Sequence, residues 1–521
     1  MLFESLLSPP REAAVFDEQG RTELSRGGEG VWQADGIDVI MEPSGDALEI
    51  LLRAPRRDVY QIVLSWPIRI PAGARFLNDH WERGYGDLEW RGLSAERFFP
   101  WYLVGHHGGT TSAAGVKVRP RAFCHWQVTP SRLSLVCDVR SGRSGVRLGD
   151  RTLRVASVVH ESSTEGRPFE AVRRFCARLC DDPRLPKAPA FGFNDWYYAY
   201  GSSTRETILR DAALLAELAP SGGVRPYCAI DAGWQVLGGY DGGPWTHGNR
   251  LFGDMTNLAR DLRNLGVRPG IWIRPLATRE RVPASWTPRQ DGSGVALLDP
   301  SVPDVLDYVA GTVATLVDWG YELIKHDFST YDVFGAWGFE MGPGITSERT
   351  LAFADRARTT AEILLDLYQR IRGAAGDALV LGCNTVGHLA AGLVDIQRTG
   401  DDTSGREWAR TLKMGVNTLA FRMPQHGAFF AADADCVGLT PAIPWRLNAQ
   451  WLDLLSRSGT PVFVSAAPEA IGPEQRNAVK AAFVRAAHAQ PPAEPLDWLD
   501  TTIPAQWRFG AEEQEFDWWT T

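Results

Sequence analysis

The chain has 521 residues, a formal net charge of −9, 44% hydrophobic residues and 22% charged residues. This composition is typical of a globular protein rather than a disordered one, and the length allows about two or three domains. The net negative charge argues against a general nucleic-acid surface, and the absence of a long apolar run argues against a membrane span. Seven scattered cysteines without a CxxC pair, and an N-terminus unlike a signal peptide, favour the cytoplasm. The sequence leaves the oligomeric state open, a homo-oligomer included.

Residues 1–160 are predicted to form an antiparallel β-sandwich. Their apolar runs are short, rich in Val, Ile and Leu, and separated by Gly, Pro and Ser; the clearest are ALEILLRA, YQIVLSWPIRI, AFCHWQVT, SRLSLVCDVR and LRVASVVHE. An amphipathic helical pattern and a Pro-rich stretch follow, so residues 161–188 are interpreted as a helical linker.

Between residues 189 and 480, apolar strands alternate with amphipathic helical segments. The eight predicted strands are AFGFND, RPYCAID, RPGIWIRP, YELIKHD, ALVLGCN, LVDIQRT, AFFAAD and TPVFVSA. This pattern predicts a (β/α)8 TIM barrel. A doubly wound open sheet fits less well, because no GxGxxG follows the first strand. Residues 481–521 are predicted to be a short, Trp-rich C-terminal β region.

Polar and indole side chains follow seven of the eight predicted strands. They are Asn194, Asp195 and Trp196; Asp231, Trp234 and Gln235; Trp272 and Arg274; Lys325 and Asp327; Cys383 and Asn384; Arg398, Asp401 and Asp402; and Asp433 and Asp435. The carboxyl ends of barrel strands are where active sites form, so we predict a site at this end. The twenty tryptophans also suit carbohydrate rings, whose apolar faces stack on aromatic side chains.

The segment YELIKHDFST places Lys325 and Asp327 on one face of a strand and His326 on the other. An ammonium beside the carboxylate is expected to keep Asp327 ionised. An ionised carboxylate in the barrel mouth can act as a nucleophile toward the C1 atom of a sugar. The alternative is a structural ion pair that fills the barrel.

A retaining glycosidase needs a second carboxyl group about 5–5.5 Å from the first. RTGDDTSG offers Asp401 and Asp402, although Gly and Asp would equally explain a simple turn. Asp433 and Asp435 are the fallback, with a helix cap or a salt bridge as their structural alternative. Metal catalysis is not predicted, because the ten histidines form no HExxH or strand-end HxH motif.

Five motifs, in order, resemble those of glycoside hydrolase family 36, the α-galactosidases and raffinose-synthase-like enzymes of the α-galactosidase clan. IKHDFS resembles the K-x-D nucleophile strand, AIDAGWQ the D-D-G-W stretch and GIWIRP the third strand. LGCNTVG resembles the C-x-x-G element with one residue more, and RTGDDTSG resembles the S-D-N segment that holds the acid/base. The family has an N-terminal β-supersandwich, a barrel and a C-terminal β domain, as predicted here.

The resemblance implies that Asp327 is the nucleophile and that Asp401 is the acid/base. Asp402 is the alternative acid, because related enzymes place the acid four residues after an arginine, which here is Arg398. No cofactor is implied. The expected sugar-binding residues are Asp231, Trp234, Lys325 and Cys383, with Trp196, Asn194, Trp272, Arg274, Asn384 and Arg398 as further candidates at the same strand ends.

Two departures from the family pattern put strict α-galactoside specificity in question. The paired aspartates that grip the sugar are here Asp231 and Ala232, and Arg274 stands where family members often carry an acid. The substrate could therefore be an α-glucoside, a modified sugar or a uronate bound by Arg274.

The predicted function is a retaining α-glycosidase that acts on a terminal α-linked sugar of an oligosaccharide or glycoside, through a covalent glycosyl-Asp intermediate. The alternatives are a transglycosidase of the raffinose-synthase type and a carbohydrate-binding protein on an altered scaffold.

Overall fold

A computed structural model describes residues 2–94, 96–290 and 294–520. The first part of the chain forms two antiparallel sheets. Their strands are β1 (Glu12–Asp17), β2 (Gly20–Glu23), β3 (Ser25–Gly28), β4 (Val31–Ala34), β5 (Ile37–Ser44), β6 (Ala47–Arg53), β7 (Val59–Pro67), β8 (Arg75–Leu77), β9 (Trp90–Arg91), β10 (Phe98–Pro100), β11 (Tyr102–His107), β12 (Thr110–Val116), β13 (Phe123–Val128), β14 (Arg132–Asp138) and β15 (Leu153–Ser163). The strand orders are β10-β13-β14-β7-β1-β2 and β3-β4-β5-β6-β15-β12-β11-β8-β9.

Alternating apolar residues explain why these strands pack as layers. In the first sheet β7 pairs with β14, and Leu64 lies opposite Leu135. Both side chains are fully buried, as are Ile62 and Leu133 on the same strands. Side chains two apart share a face of a strand, so each sheet turns one apolar face to the core.

In the barrel region that follows, the described residues form twelve strand segments. These are β16 (Phe191–Asn194), β17 (Tyr227–Ile230), β18 (Arg268–Ile273), β19 (Ala277–Thr278), β20 (Arg289–Gln290), β21 (Ala296–Leu297), β22 (Leu323–His326), β23 (Leu379–Gly382), β24 (Ile396–Arg398), β25 (Ala431–Asp433), β26 (Cys436–Leu439) and β27 (Val462–Ala466). Three short ones, β19, β20 and β21, form a separate small sheet after the third barrel strand. The other nine pair in parallel, in the order β25-β24-β23-β22-β18-β17-β16-β27-β26.

The two ends of this nine-stranded sheet are successive segments of one strand. Segment β25 pairs with β24, and β26 pairs with β27. Only Ala434 and Asp435 separate the segments, and Asp435 has a left-handed backbone with φ of 74°. The chain itself therefore closes the ring, and the seventh predicted strand is a strand broken in two. All eight predicted strands are present, and the TIM-barrel prediction is confirmed.

Helices connect the barrel strands and cover the barrel, except that α1 precedes the first barrel strand and packs on β12 and β15 of the sandwich. They are α1 (Pro168–Leu179), α2 (Trp196–Ala199), α3 (Arg205–Leu218), α4 (Met255–Asn264), α5 (Pro303–Asp318), α6 (Ser329–Phe334), α7 (Thr360–Ala375), α8 (Gly387–Ala390), α9 (Trp408–Arg410), α10 (Thr418–Arg422), α11 (Trp445–Arg457) and α12 (Pro473–Ala486). A π-helix covers Thr411–Asn417, and 3-10 turns cover Glu4–Leu7, Ala284–Trp286, Gly338–Glu340, Met423–Gln425 and Pro468–Ala470. Among the helices within the described ranges, none is long and apolar enough to cross a bilayer.

The C-terminal region is a three-stranded antiparallel sheet of β28 (Glu494–Pro495), β29 (Gln506–Phe509) and β30 (Glu512–Glu515). Its contact with the N-terminal sheets includes Trp498, whose ring lies edge-on to Trp90 at 5.4 Å between centroids. The predicted order of β-sandwich, barrel and short β region is therefore confirmed, while the domain boundaries at residues 160, 188 and 480 stay a prediction. All seven cysteines are free and buried.

Candidate active site

A cavity of about 690 Å³ opens at the carboxyl ends of the barrel strands. We call it the mouth cavity. Its size is suited to a small organic ligand. The cavity is lined by Arg83, Trp196, Asp231, Ala232, Tyr240, Asp241, Trp272, Arg274, Lys325, Asp327, Phe328, Tyr331, Trp337, Phe339, Asp401, Asp402 and Arg410.

The carboxylate of Asp327 is fixed in the mouth cavity by two donors. The indole Nε1 of Trp272 donates to Asp327 Oδ2 at 3.0 Å, and the backbone N–H of Phe328 donates to Oδ1 at 2.8 Å. Phe328 has a left-handed backbone with φ of 65°, which is strained for a residue other than glycine. This turn directs the chain away from β22 and leaves the Asp327 side chain, 8% exposed, facing the cavity.

Lys325 faces the same cavity, but its direct partner is Asp231 rather than Asp327. Its Nζ donates to Asp231 Oδ2 at 2.6 Å, and the amide of Asn194 donates to the same oxygen at 2.8 Å. Burial, the largest single influence, lowers the pKa of Lys325, but Asp231 together with neighbouring groups that include Cys383 and Asp327 raises that pKa well above its ordinary value. The direct ion pair of Lys325 is thus with Asp231, while Asp327 contributes less to its electrostatic environment; that Lys325 keeps Asp327 ionised stays a prediction.

His326 faces the helix layer, as predicted. It is buried, and its ring lies edge-on to Tyr368 of α7 at 5.6 Å between centroids. Burial lowers the pKa of His326 to about 3. The alternation of side chains along β22 therefore separates a charged inner face from a neutral outer face.

Asp401 and Asp402 both line the mouth cavity, in different electrostatic settings. Asp401 lies between two guanidinium groups, with its oxygens 3.1 Å from Arg83 Nη2 and 3.0 Å from Arg410 Nη2. Asp402 Oδ1 lies 3.1 Å from Arg398 Nη1. Burial favours the neutral form of Asp402, but the charge of Arg398, with smaller contributions from Arg83 and Lys325, lowers its pKa below the ordinary value.

The fallback acids Asp433 and Asp435 lie beneath this site and are outside the mouth cavity lining. Arg398 is buried between them, with Nη2 2.8 Å from Asp435 and Nε 3.4 Å from Asp433. Asp435 also accepts hydrogen bonds from the Thr403 backbone N–H at 2.8 Å and from the Tyr197 hydroxyl. These contacts form a salt-bridge network around Arg398 and the loop after β24, and the fallback role of the two aspartates stays a prediction.

Part of the cavity wall comes from the N-terminal sandwich, which the sequence did not indicate. The Gly84 backbone N–H donates to the Thr399 carbonyl at 2.8 Å, and the Asp401 N–H donates to the Gly84 carbonyl at 3.0 Å. Glu82 accepts from the Asn384 amide and, at 2.8 Å, from the Gly338 N–H. Residues 82–84 are thus bonded to the ends of the fifth and sixth barrel strands, and they place Arg83 beside Asp401.

Arg274 lines the cavity but is already paired with a carboxylate. Its Nη2 and Nε donate to Asp332 on α6 at 2.6 and 3.1 Å. Its Nη1 donates to the Tyr240 carbonyl at 3.0 Å, and its guanidinium carbon lies 4.5 Å from the centre of the Phe328 ring. A uronate would therefore have to compete with Asp332 for this side chain.

The remaining predicted site residues divide into lining and supporting groups. Trp196 and Trp272 line the cavity together with Asp231, Arg274 and Lys325. The supporting residues are buried and do not line it; they are Asn194, Trp234, Cys383, Asn384 and Arg398. Trp234 donates from Nε1 to the Trp272 carbonyl at 2.9 Å, so it supports a cavity residue instead of contacting a ligand.

Cavity residues that the sequence reasoning missed are mostly aromatic or cationic. They are Arg83, Tyr240, Asp241, Phe328, Tyr331, Trp337, Phe339 and Arg410. Phe328 alone follows directly on a predicted site residue, which was a usable signal. Among the described residues, no group of three or more His, Cys, Asp or Glu side chains is arranged to hold a metal ion.

No family model matches the sequence. The structure is similar to an α-galactosidase from Thermus thermophilus in complex with p-nitrophenyl α-D-galactopyranoside, with a TM-score of 0.60 and 18% identity over 97% of this chain and 98% of that one. It is also similar to a GH36 α-galactosidase, AgaB, from Geobacillus stearothermophilus, with a TM-score of 0.60 and 13% identity over 91% of this chain and 74% of that one. The resemblance to glycoside hydrolase family 36 is thereby confirmed for the fold.

Proposed function

We propose that the protein is a retaining α-glycosidase of the α-galactosidase type, which removes a terminal α-linked sugar from a glycoside or oligosaccharide. The observation that carries the proposal is the Asp327 carboxylate, held by Trp272 and Phe328 and facing a cavity that also contains Asp401 and Asp402. A fixed carboxylate and a second carboxyl group in one cavity are the two groups that a double-displacement mechanism needs. The structural neighbours, α-galactosidases by name, support the same reaction class.

In the first step an oxygen of Asp327 forms a bond to C1 of the sugar while the bond from C1 to the leaving oxygen breaks. The acid transfers its proton to that oxygen, and a glycosyl ester of Asp327 remains. In the second step the same acid, now a carboxylate, takes a proton from water as the water oxygen bonds to C1 and displaces Asp327. The sugar is released with its original anomeric configuration.

Asp401 is the better acid of the two candidates. Both carboxylates lie beside guanidinium groups, so proximity to positive charge does not separate them, and the assignment rests on the alignment of Asp401 with the first Asp of the family's S-D-N segment. Arg83 and Arg410 are positioned to steady the Asp401 carboxylate once the proton has left. We assign the acid/base role to Asp401 and a supporting role to Asp402.

The deep end of the cavity is suited to the hydroxyl groups of a neutral sugar. Asp231 and Lys325 form a buried, hydrogen-bonded pair at its floor, and Ala232 beside them contributes no polar atom. Arg274 is engaged by Asp332, so we expect neutral α-glycosides to react faster than α-glucuronides. A buried charged pair that bonds a substrate hydroxyl discriminates strongly against sugars that lack it.

The test is a panel of aryl α-glycosides with galactose, glucose, N-acetylgalactosamine and glucuronate as the sugar. We expect turnover of a neutral member, and loss of that turnover in Asp327→Ala. Azide should restore aryl release in this variant and give a glycosyl azide of inverted configuration, because the small anion takes the place of the missing carboxylate. Unchanged turnover in Asp327→Ala would contradict the mechanism.

Product analysis separates the two remaining alternatives. Chromatography of reactions with added oligosaccharide distinguishes transfer to a sugar acceptor from hydrolysis. Sugar binding without turnover of any α-glycoside would favour the carbohydrate-binding protein.

A further inference from the structure

Both carboxylates of the proposed mechanism lie beyond the paired part of the barrel sheet. The ladder between β22 and β23 ends at His326 and Gly382, and the ladder between β23 and β24 ends at Gly382 and Gln397. Asp327 directly follows the first ladder, and Asp401 stands in the loop after β24. Pairing of these three strands therefore does not by itself set the position of one carboxylate relative to the other, which depends on the contacts of the two loops.

The turn that carries Asp327 is strained and needs support from its surroundings. Phe328 has a left-handed backbone, and its N–H donates to Asp327 Oδ1 at 2.8 Å, so this turn orients the carboxylate. A residue other than glycine persists in such a conformation where the surrounding structure over-determines it. The residues that follow the turn, 329–331, have contacts of this kind.

Asn384, at the end of the fifth barrel strand, holds the turn with both its backbone and its side chain. Its carbonyl accepts from the Ser329 hydroxyl at 3.2 Å, from the Thr330 hydroxyl at 3.1 Å and from the Thr330 N–H at 3.2 Å. Its side-chain oxygen accepts from the Tyr331 N–H at 3.0 Å. Asn384 is completely buried, so these groups satisfy one another rather than bonding to solvent. The position of Asn384 therefore determines where the Asp327 turn lies.

Glu82 of the sandwich in turn fixes the side chain of Asn384. The Asn384 amide donates to Glu82 Oε2, and the Gly338 N–H at 2.8 Å and the Tyr85 hydroxyl donate to Oε1. Glu82 is 1% exposed. These partners are all donors, and a carboxylate accepts from each of them, whereas an amide has one accepting oxygen. The contacts thus match a carboxylate at this position.

Consecutive residues of the sandwich thereby reach both loops. Glu82 supports the turn of the nucleophile, and Arg83 lies 3.1 Å from Asp401. Gly84 pairs with Gly400 in an isolated parallel bridge, so the segment runs beside the loop of the proposed acid as an added strand does. Because the backbone fixes the spacing of adjacent residues, this one segment constrains both loops together.

We propose that Glu82 is a positioning residue for the nucleophile, acting through Asn384, and that it sets the separation of the two carboxylates together with its neighbour Arg83. The inference rests on the proposed glycosidase function. Glu82 serves the bond between Asp327 and C1, which every donor needs, whereas Arg83 serves proton transfer, which a basic leaving group needs and fluoride does not. The leaving group of the donor therefore distinguishes the two neighbours.

The first variant is Glu82→Gln, which keeps the size of the side chain but turns an NH2 group toward the Asn384 amide or the Gly338 N–H. The donors are the α-glycosyl fluoride and a disaccharide of the sugar preferred in the aryl-glycoside panel. We expect kcat/KM to fall about tenfold for both, while inhibition by the free sugar stays unchanged. The loss is partial because Arg274 still holds Asp332, on the helix that follows the turn.

An exchange of the two groups provides the rescue. In the double variant Glu82→Gln/Asn384→Asp, the new amide at position 82 donates to the new carboxylate at position 384, which still accepts from the Tyr331 N–H. The amide oxygen at position 82 still accepts from the Gly338 N–H. We expect the double variant to recover most of the fluoride reaction that Glu82→Gln loses.

Two other variants in the same segment provide the comparison. Arg83→Met should lower kcat/KM for the disaccharide and spare the fluoride. Asp87→Asn removes an exposed carboxylate that pairs with His80 at 2.8 Å outside the cavity lining, so it should change neither donor. A loss in Glu82→Gln confined to the disaccharide would show that Glu82 merely holds Arg83, and it overturns the inference. An unchanged fluoride reaction in Glu82→Gln, or no recovery in the double variant, overturns it as well.

Hydrogen exchange separates this inference from the proposed function. If the wild-type protein turns over none of the donors, the proposed function fails, but exchange of the Thr330 and Tyr331 amides, followed by mass spectrometry, still reports on the turn. We expect faster exchange in residues 328–334 of Glu82→Gln, recovery in the double variant, and no change in residues 400–404. Wild-type exchange in residues 328–334, or equal acceleration of both segments, overturns the inference.

Discussion

The guanidinium group of Arg83 lies 3.1 Å from a carboxylate oxygen of Asp401, although Arg83 belongs to the N-terminal sandwich and Asp401 to the barrel. Two backbone hydrogen bonds through Gly84 hold the same contact, at 2.8 and 3.0 Å. Burial, the largest single influence, lowers the pKa of Arg83, but Asp401 together with Tyr85, Glu82 and Cys383 raises that pKa well above its ordinary value. Arg83 is therefore a permanent cation that positions the proposed acid.

Substitution of Arg83 should impair the chemical step more than binding. In Arg83→Met we expect kcat for a disaccharide to fall about 10- to 100-fold, because a displaced acid no longer reaches the leaving oxygen, while KM changes little. Arg83→Lys should recover part of kcat by restoring the charge without the planar contact. An increase in KM with unchanged kcat in Arg83→Met would show that Arg83 binds substrate instead.

The Lys325–Asp231 pair should respond differently to single and double substitution. Lys325→Met leaves the buried Asp231 carboxylate without its cation, and we expect a loss of about 3–5 kcal/mol in the free energy of unfolding. Adding Asp231→Asn removes the stranded charge and should restore much of that stability, but not activity, because the sugar contacts are gone. Urea unfolding and turnover of the best aryl glycoside measure the two effects. Recovery of activity in the double variant would assign the pair a structural role only.

The acid/base assignment can be tested with leaving groups of different basicity. Asp401→Asn should lower kcat/KM for a sugar leaving group by about 10²–10⁴, and much less for fluoride or dinitrophenolate, which leave without a proton. Asp402→Asn, in which one partner of Arg398 is neutralised, should affect all donors to a similar degree. The reverse pattern would make Asp402 the acid.

Asp195, buried behind Asp231, gives a pH-dependent stability prediction. Burial, reinforced by the charge of Asp231, raises the pKa of Asp195 to about 7, whereas the unfolded chain has an ordinary value near 3.8. The folded state therefore binds more protons between these values, so the contribution of Asp195 to stability is complete below pH 3.8 and is lost as the pH rises through 7.

Asp195→Asn should remove this dependence while keeping an oxygen that can accept the Asp231 N–H, now at 2.7 Å. Relative to the wild type, the variant should gain about 3 kcal/mol in the free energy of unfolding between pH 5 and pH 8. Urea titrations at both pH values provide the measurement. A constant difference between the two proteins would show that Asp195 is ionised throughout.

The barrel and its strand-end residues were predictable because local sequence patterns determine them. Alternating burial sets each strand, and the carboxyl end of the strand puts Asp231, Lys325 and Asp327 at one mouth. The choice of partner was not predictable. Lys325 is two residues from Asp327 in sequence, but its ammonium bonds the carboxylate of Asp231 on another strand, and the hydrogen bond to Asp327 comes from the Trp272 indole.

Site residues in loops far away in the sequence could not be predicted from local sequence patterns. Arg83 follows a short strand in a region with no catalytic pattern, and only docking of the sandwich on the barrel brings it to Asp401. Trp234 is the reverse case: it was predicted to bind the sugar, but its indole donates to the Trp272 carbonyl and does not line the cavity. Such positions depend on tertiary packing, which strand periodicity does not encode.

The hydrogen bonds of Gly84 to the loop after the sixth barrel strand also limit how this chain can be shortened or recombined. A fragment starting at the first barrel strand would keep Asp327 with its Trp272 and Phe328 donors, yet the loop bearing Asp401 would lose a wall and one of its two arginines. Grafting a foreign β-domain onto the barrel would meet the same difficulty. The sandwich and the barrel therefore have to be kept together, because both contribute walls to the mouth cavity.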